Sequence, residues 1–206
     1  MNFFLKKRLQ NAGKPKGFWG AVTLGNMNKD HAKLTDEGLS KINVKPDAVC
    51  LDIGCGGGRT LSKLSALAPK GKIYGIDISE TAVRCAKNYN VKDVASEKMQ
   101  IRTGDVAFLP YPTEKFDVVT AVETFYFWQN KQAAVQNVYN VLKKDGEFIV
   151  MLDAYEDGTD HMEYVKREIR YELNTPDEIK AMFEKAGFSS IEVVTGDKKL
   201  FAIGIK

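Results

Sequence analysis

AVCLDIGCGGGRT, residues 48 to 60, sets a short apolar run, a cluster of four glycines and the start of a helical pattern in immediate succession. Ala48 to Ile53 carries one carboxylate, Asp52, near its end. Gly54 to Gly58 follows, and beyond it Leu61, Leu64 and Ala68 recur at helical spacing. A buried strand, a glycine turn and a helix start, in that order, open a nucleotide-binding α/β unit. Glycine lets a ligand lie against bare backbone, and the first turn of the helix offers unpaired N–H groups. The dinucleotide fingerprint G-x-G-x-x-G fits Gly54 and Gly56, but its third glycine would fall on Arg59. That departure counts against helix–strand packing of the NAD type.

Downstream the alternation continues. KIYGID (72–77) reads as a second strand ending in a carboxylate, and Ser79 caps a helix bearing Ala82, Val83 and Ala86. Met99 to Thr103 is a third strand. FDVVTAV (116–122) is a fourth, apolar enough to be buried on both faces. Asn130 to Lys144 is expected as one helix, with Ala134, Val138, Val141 and Leu142 inward, lysines at its C-terminal end and Gly146 as its stop. Glu147 to Leu152 is the fifth strand. Thr175 and Glu178 make a capping box around Pro176, and residues 190–195 and 199–205 form a terminal hairpin around Gly196–Asp197. The expected fold is a three-layer α/β/α sandwich, Rossmann-like, whose mostly parallel seven-stranded sheet ends in an antiparallel hairpin.

At 206 residues the chain suits a single domain spanning 1–206. Residues 1–45 are expected as a helical cover: a short helix around Phe3 to Leu9, a loop from Gly13 to Gly20 with Phe18 and Trp19, and a helix from about Asn28 to Ile42 carrying His31. Residues 46–206 form the α/β core, with a polar insertion at about 153–173 near the mouth of the site. The net charge of +3 is too small to indicate a nucleic-acid groove. No apolar run reaches the roughly 18 to 20 residues of a membrane span, and the first ten residues lack the apolar region of a secretory signal. Cys50, Cys55 and Cys85 match neither a disulfide framework nor a zinc pattern, so a reduced cytoplasmic protein is the natural reading.

In an open parallel sheet the ligand sits beyond the C-terminal ends of the strands. Asp77 ends the second strand at the distance from the glycine loop where a carboxylate accepts the hydroxyls of a ribose. From about Val44 onward the strand ends resemble, motif by motif, the class I S-adenosylmethionine-dependent methyltransferases. LDIGCGGGRT resembles their first motif, which implies that S-adenosyl-L-methionine is the cofactor and that Asp52, Gly54, Cys55, Gly56 and Gly58 surround its methionine end. IYGIDIS resembles the second, implying Asp77 on the ribose and Ile78 on the adenine. TGDVAFLPY resembles the third, implying that Gly104, Asp105 and the Val106 backbone meet the adenine edge. FDVVTAVETFYFW resembles the fourth, implying backbone near Ala121 and Glu123 at the methionine end. NVLKKDGEFIV and TPDEIKAMFEKAGF resemble late segments of the small-molecule branch, which includes ubiquinone- and menaquinone-type C-methyltransferases.

Methyl transfer from a sulfonium is an in-line displacement with a neutral leaving group, so positioning supplies much of the rate and no acid is needed. A base matters only if the acceptor keeps its proton until attack. His31, His161, Tyr126, Asp153 and Glu123 are the candidates; His31 and Tyr126 are taken as catalytic, His31 because relatives often line the site with a similar Met-Asn and His segment. The aromatics Phe125 to Trp128 divide between the core and an acceptor wall. No metal site is expected: thiols do not converge, and a catechol-type magnesium site needs clustered carboxylates after the fourth strand, where Glu123 stands alone. ETFYFW is not the D/N-P-P-Y/F motif of base-amine methylation, and basic–aromatic interleaving is missing, so the expected partner is a small-molecule acceptor and not nucleic acid. A homodimer is compatible with this reading. The rivals are an NAD-linked oxidoreductase and a cofactor-binding regulatory protein without turnover.

Overall fold

The computed structural model describes residues 16–17, 20, 22, 24, 31–159 and 172–206. The expected helix around Phe3 to Leu9, and Phe18, Trp19, Asn28 and His161, lie outside the described residues, as does most of the expected insertion. Gly20 donates to the Lys16 carbonyl at 3.0 Å, a helical i→i−4 bond where the sequence suggested a loop.

Helix α1 (Ala32–Leu39) precedes β1 (Val49–Ile53) and α2 (Arg59–Leu67). β2 (Lys72–Asp77), α3 (Glu80–Tyr89), the short α4 (Val91–Ala95) and β3 (Met99–Thr103) follow. β4 (Phe116–Val122), α5 (Lys131–Val141) and β5 (Leu142–Leu152) complete the parallel part. α6 (Pro176–Ala186), β6 (Ser190–Gly196) and β7 (Lys199–Ile205) close the chain. The seven strands run in the order β3-β2-β1-β4-β5-β7-β6, with β1 to β5 parallel and β7 antiparallel to both its neighbours.

Period-two alternation sorts the strands onto two cores. Cys50, Ile73, Val118, Ile149 and Ile203 face Leu61 and Leu64 of α2, Ala86 of α3 and Leu34 of α1. Leu51, Val119, Phe148, Val150 and Ala202 face Val135 and Val138 of α5 and Ile179 and Phe183 of α6. Phe183 stacks between Phe148 and Phe188, with ring centroids 5.1 and 4.9 Å away. The expected three layers are therefore present, and both predicted caps form: Ser79 Oγ accepts from Ala82 N–H at 3.2 Å, and Thr175 and Glu178 make the reciprocal box.

Three boundaries differ from expectation. The described α1 ends at Leu39 and not at Ile42. α5 ends at Val141, and the segment expected as its last turn is already strand. Burial explains this second change. Leu142 is fully buried in register with Phe116, Lys143 reaches back to Asp117 at 2.8 Å, and Asp145 takes φ +61° to turn the chain. Helical propensity in NVLKK yields to pairing at the neighbouring strand. The hairpin turns on Asp197 and Lys198, both at positive φ, one residue later than expected.

Candidate active site

The carboxyl ends of β1, β2, β3 and β4 open into a cleft of about 220 Å³, and the loops beyond them are stitched to one another through backbone. Gly54 and Cys55 donate to the Ile76 carbonyl at 2.8 and 3.1 Å, Gly104 donates to Asp77 O at 3.0 Å, and Glu123 donates to Met151 O at 2.9 Å. A recess of about 50 Å³ under His31 shares Leu24, Gly54, Gly56 and Val122 with the main cleft. The two volumes are lobes of one site.

Asp77 closes the floor. One carboxylate oxygen accepts from Gly56 N–H at 2.9 Å and the other from Ser79 N–H at 2.8 Å, which fixes its plane and leaves further lone pairs toward the cleft. Burial raises its pKa, against the pull of those two amides. A side chain built on Gly56 would meet Leu24 at 3.6 Å and Gly54 O at 3.9 Å, so this glycine presents bare backbone to the cleft. Ile78 lies on the rim, 39% exposed, an apolar side chain open in part to the cleft. Gly104, Asp105 and Val106 line the same end; Asp105 accepts from Ala107 N–H at 2.9 Å and so caps a single 3₁₀ turn.

Other expected residues sit elsewhere. Asp52 is 2% exposed, does not line the cleft and accepts from the Thr120 hydroxyl at 2.6 Å. Burial, opposed by that hydroxyl and aided by Asp77, lifts its pKa from 3.8 to about 7. Ala121 is wholly buried in the core. Cys55 lines the smaller recess, and burial with two neighbouring carboxylates raises its thiol pKa, which keeps it protonated. Gly58 takes φ +86° at the start of α2, and a side chain there would come within 2.9 Å of Ala86 Cβ and 2.7 Å of Asn90 Nδ2. It makes room for α3, a packing role that the third glycine of the motif does not announce.

At the other end of the site, Glu123 follows β4 with φ +52° and is 5% exposed. A non-glycine residue in that region stores backbone strain, which surrounding contacts must hold. Here they do: one carboxylate oxygen accepts from Asp153 N–H at 2.5 Å, the other from the Tyr126 hydroxyl at 2.9 Å. Burial first, then the Asp153 carboxyl, pushes the Glu123 pKa well above its usual range. His31, at the start of α1, brings a ring nitrogen to this corner, so that His31, Glu123 and Asp153 each have a donor atom within 4.8 Å of the others. Three of the five candidate bases thus converge, with Tyr126 bonded to one of them. Phe125 is core, and Phe127 and Trp128 line the cleft.

Among the lining residues that escaped the sequence reading, two bear on the chemistry. Thr124, after Glu123, lines the cleft and packs where a side chain on Gly54 would otherwise stand. Arg59, read only as a missing glycine, lines the smaller recess with a buried Nε that has no hydrogen-bond partner among the described residues. An orphaned guanidinium nitrogen beside the first turn of α2 suits an anionic group. The signal was present in Arg59 itself, a cation set against the glycine loop.

A methyltransferase-domain family model matches residues 51–150. The chain is 30% identical over 152 residues to a sterol 24-C-methyltransferase of Gibberella zeae, covering 73% of this chain and 40% of that protein. It is 27% identical over 127 residues to the demethylmenaquinone methyltransferase of Lactobacillus johnsonii, covering 61% and 50%. The chain spans half or less of the length of these curated relatives. Among solved structures, an S-adenosylmethionine-dependent methyltransferase from Aquifex aeolicus superposes with a TM-score of 0.71 at 19% identity, covering 90% of this chain and 97% of that one. Human N-acetylserotonin methyltransferase in complex with S-adenosylmethionine gives 0.74 at 17%, covering 91% and 56%. Both share the seven-stranded fold. Over residues 51–150 the chain is thus similar to methyltransferase domains, and its fold is the one that these S-adenosylmethionine-dependent methyltransferases share. Its residues fit S-adenosylmethionine: bare backbone at Gly56, two oriented carboxylate oxygens on Asp77, a partly exposed Ile78 and the orphaned Arg59 nitrogen.

Proposed function

We propose that this chain, as one methyltransferase domain over residues 1–206, methylates a small-molecule acceptor held between His31, Glu123 and the aromatic segment 125–128. The observation that carries the reading is the Asp77 carboxylate, buried at the cleft floor and oriented by Gly56 and Ser79 amides beside bare glycine backbone. When bound, S-adenosylmethionine supplies an electrophilic methyl group on a sulfonium. Asp77 accepts the ribose hydroxyls, Ile78 covers the adenine face, and Asp105 and the Val106 backbone take its polar edge. Gly54, Gly56 and backbone around Glu123 line the methionine end, and Arg59 pairs with its carboxylate. Asp52, Gly58 and Ala121 support these groups from behind.

At the acceptor end, Tyr126 holds the orientation of Glu123, and Glu123 and His31 are the polar groups that face the acceptor. Phe127 and Trp128 wall off water. Similarity to a sterol 24-C-methyltransferase and a demethylmenaquinone methyltransferase supports a largely apolar acceptor. Calorimetric titration with S-adenosylhomocysteine, run beside NAD, tests the assignment. Binding of the first alone is expected; binding of NAD instead would return the oxidoreductase reading. Product analysis with candidate acceptors then separates an enzyme from a regulatory protein without turnover.

A further inference from the structure

We propose that His31, Glu123 and Asp153 form a binding site for one divalent first-row cation at the acceptor end of the cleft. The proposal begins in the sheet register. Val122 pairs with Met151 across parallel β4 and β5, so Glu123 and Asp153, each the first residue past its strand, emerge on neighbouring strands one residue apart in register. The Asp153 N–H and the Tyr126 hydroxyl fix the Glu123 carboxyl, which also shares a hydrogen bond with the Asp153 carboxyl. The third donor comes from above. α1 is seated by Gly38 against Met151, by the Lys199–Glu37 pair at 2.5 Å, by the Lys63–Asp36 pair and by Lys41 over the Phe201 ring. Thr35 donates to the His31 carbonyl through both its amide and its hydroxyl, at 3.0 and 2.8 Å, and so holds the start of the helix over the carboxylates.

The three donor atoms lie within 4.8 Å of one another, a spacing that a shared ion at ordinary ligand distances closes with small side-chain movement. Among the described residues no lysine or arginine forms an ion pair with Glu123 or Asp153. Two carboxylates facing each other without a protein cation favour an ion of charge two. One imidazole with two carboxylates suits manganese or zinc better than magnesium or calcium, which prefer oxygen alone. With three protein ligands, coordination positions remain open toward the cleft.

Its use rests on the methyl-transfer reading. An acceptor hydroxyl or enol oxygen that fills an open position loses its proton to solvent, because the cation lowers its pKa. The resulting oxyanion, or its conjugated carbon, forms the bond to the methyl carbon while the sulfur–methyl bond breaks and its electron pair stays on sulfur. No protein base is then required, and the site selects acceptors with an oxygen at or conjugated to the methylated atom.

The test is titration of the whole chain with Mn²⁺, read by electron paramagnetic resonance without cofactor. One Mn²⁺ per chain, displaced by Zn²⁺, is expected, and Asp153→Asn and His31→Ala should each weaken it by about tenfold or more. Asp153 is exposed, so Asp153→Asn should fold normally, and S-adenosylhomocysteine titration of that variant verifies it. Absence of Mn²⁺ binding, or binding unchanged in both variants, overturns the site. Mn²⁺ binding that needs both side chains in a protein that takes no S-adenosylhomocysteine would uphold the site and sink the methyl-transfer reading.

Discussion

Asp77 holds both the glycine loop and the start of α3 with single carboxylate oxygens, so its removal acts on fold and ligand together. Asp77→Ala would strand two backbone N–H groups, at roughly 1–3 kcal/mol each. Asp77→Asn keeps one acceptor and is the cleaner probe. It should weaken S-adenosylhomocysteine about 10- to 100-fold by calorimetry, the loss of one to two charge-assisted hydrogen bonds; unchanged affinity would remove Asp77 from the site. Asp52 behaves differently. It keeps its proton in the folded protein up to about pH 7, whereas the unfolded chain releases it near 3.8. The folded state therefore binds more protons across that window, and stability falls as pH rises from about 4 to about 7, then levels. Glu123 and Asp77, both raised, act in the same direction. Asp52→Asn can still accept from Thr120 and should flatten the melting-temperature profile across this window, gaining on the parent toward about pH 8. Parallel profiles would refute the buried proton. The motif made Asp52 visible in the sequence, but its partner Thr120 is 68 residues away, and only pairing of β1 with β4 brings them together.

Elements carry the next level of consequence. The glycine loop is a packing joint as much as a ligand cradle, because α2 begins where Gly58 touches α3. Gly58→Ala combines a positive φ with contacts under 3 Å to Ala86, and should cost about 2 kcal/mol or more in urea unfolding. Gly196→Ala, which meets nothing within 4 Å, is the control and should stay within about 0.5 kcal/mol. Equal losses would mean that the joint is not tight. Strands were legible because their apolar runs are short and bounded by glycine, proline or carboxylates, and both caps were legible because the capping side chain lies within three residues of its target. The end of α5 was not, since VLKK carries a helical pattern and only Phe116 and Asp117 on the adjacent strand pull it into β5. The corner at Glu123 was half legible. Each donor could be named, but His31, Glu123 and Asp153 come from three segments whose meeting depends on sheet register.

For the molecule as a whole, the nucleoside end of the cleft is built by β1, β2 and β3, while the acceptor end needs α1 seated against β5 and β7. Contacts of high sequence separation form late, since their loop entropy is met only after nearer ones exist. Pulse-labelled refolding should therefore protect Gly54 and Cys55 amides, bonded to Ile76, before the α1 amides of Thr35 and Ser40. Simultaneous protection would contradict this order. The Lys199–Glu37 pair sharpens it during synthesis. Its partners are 162 residues apart, so a ribosome adding about 5–20 residues per second makes the second roughly 10–30 s after the first. The helix that carries His31 is thus made early and seated late. A nascent chain can close its nucleoside pocket while the half that meets the acceptor is still being made.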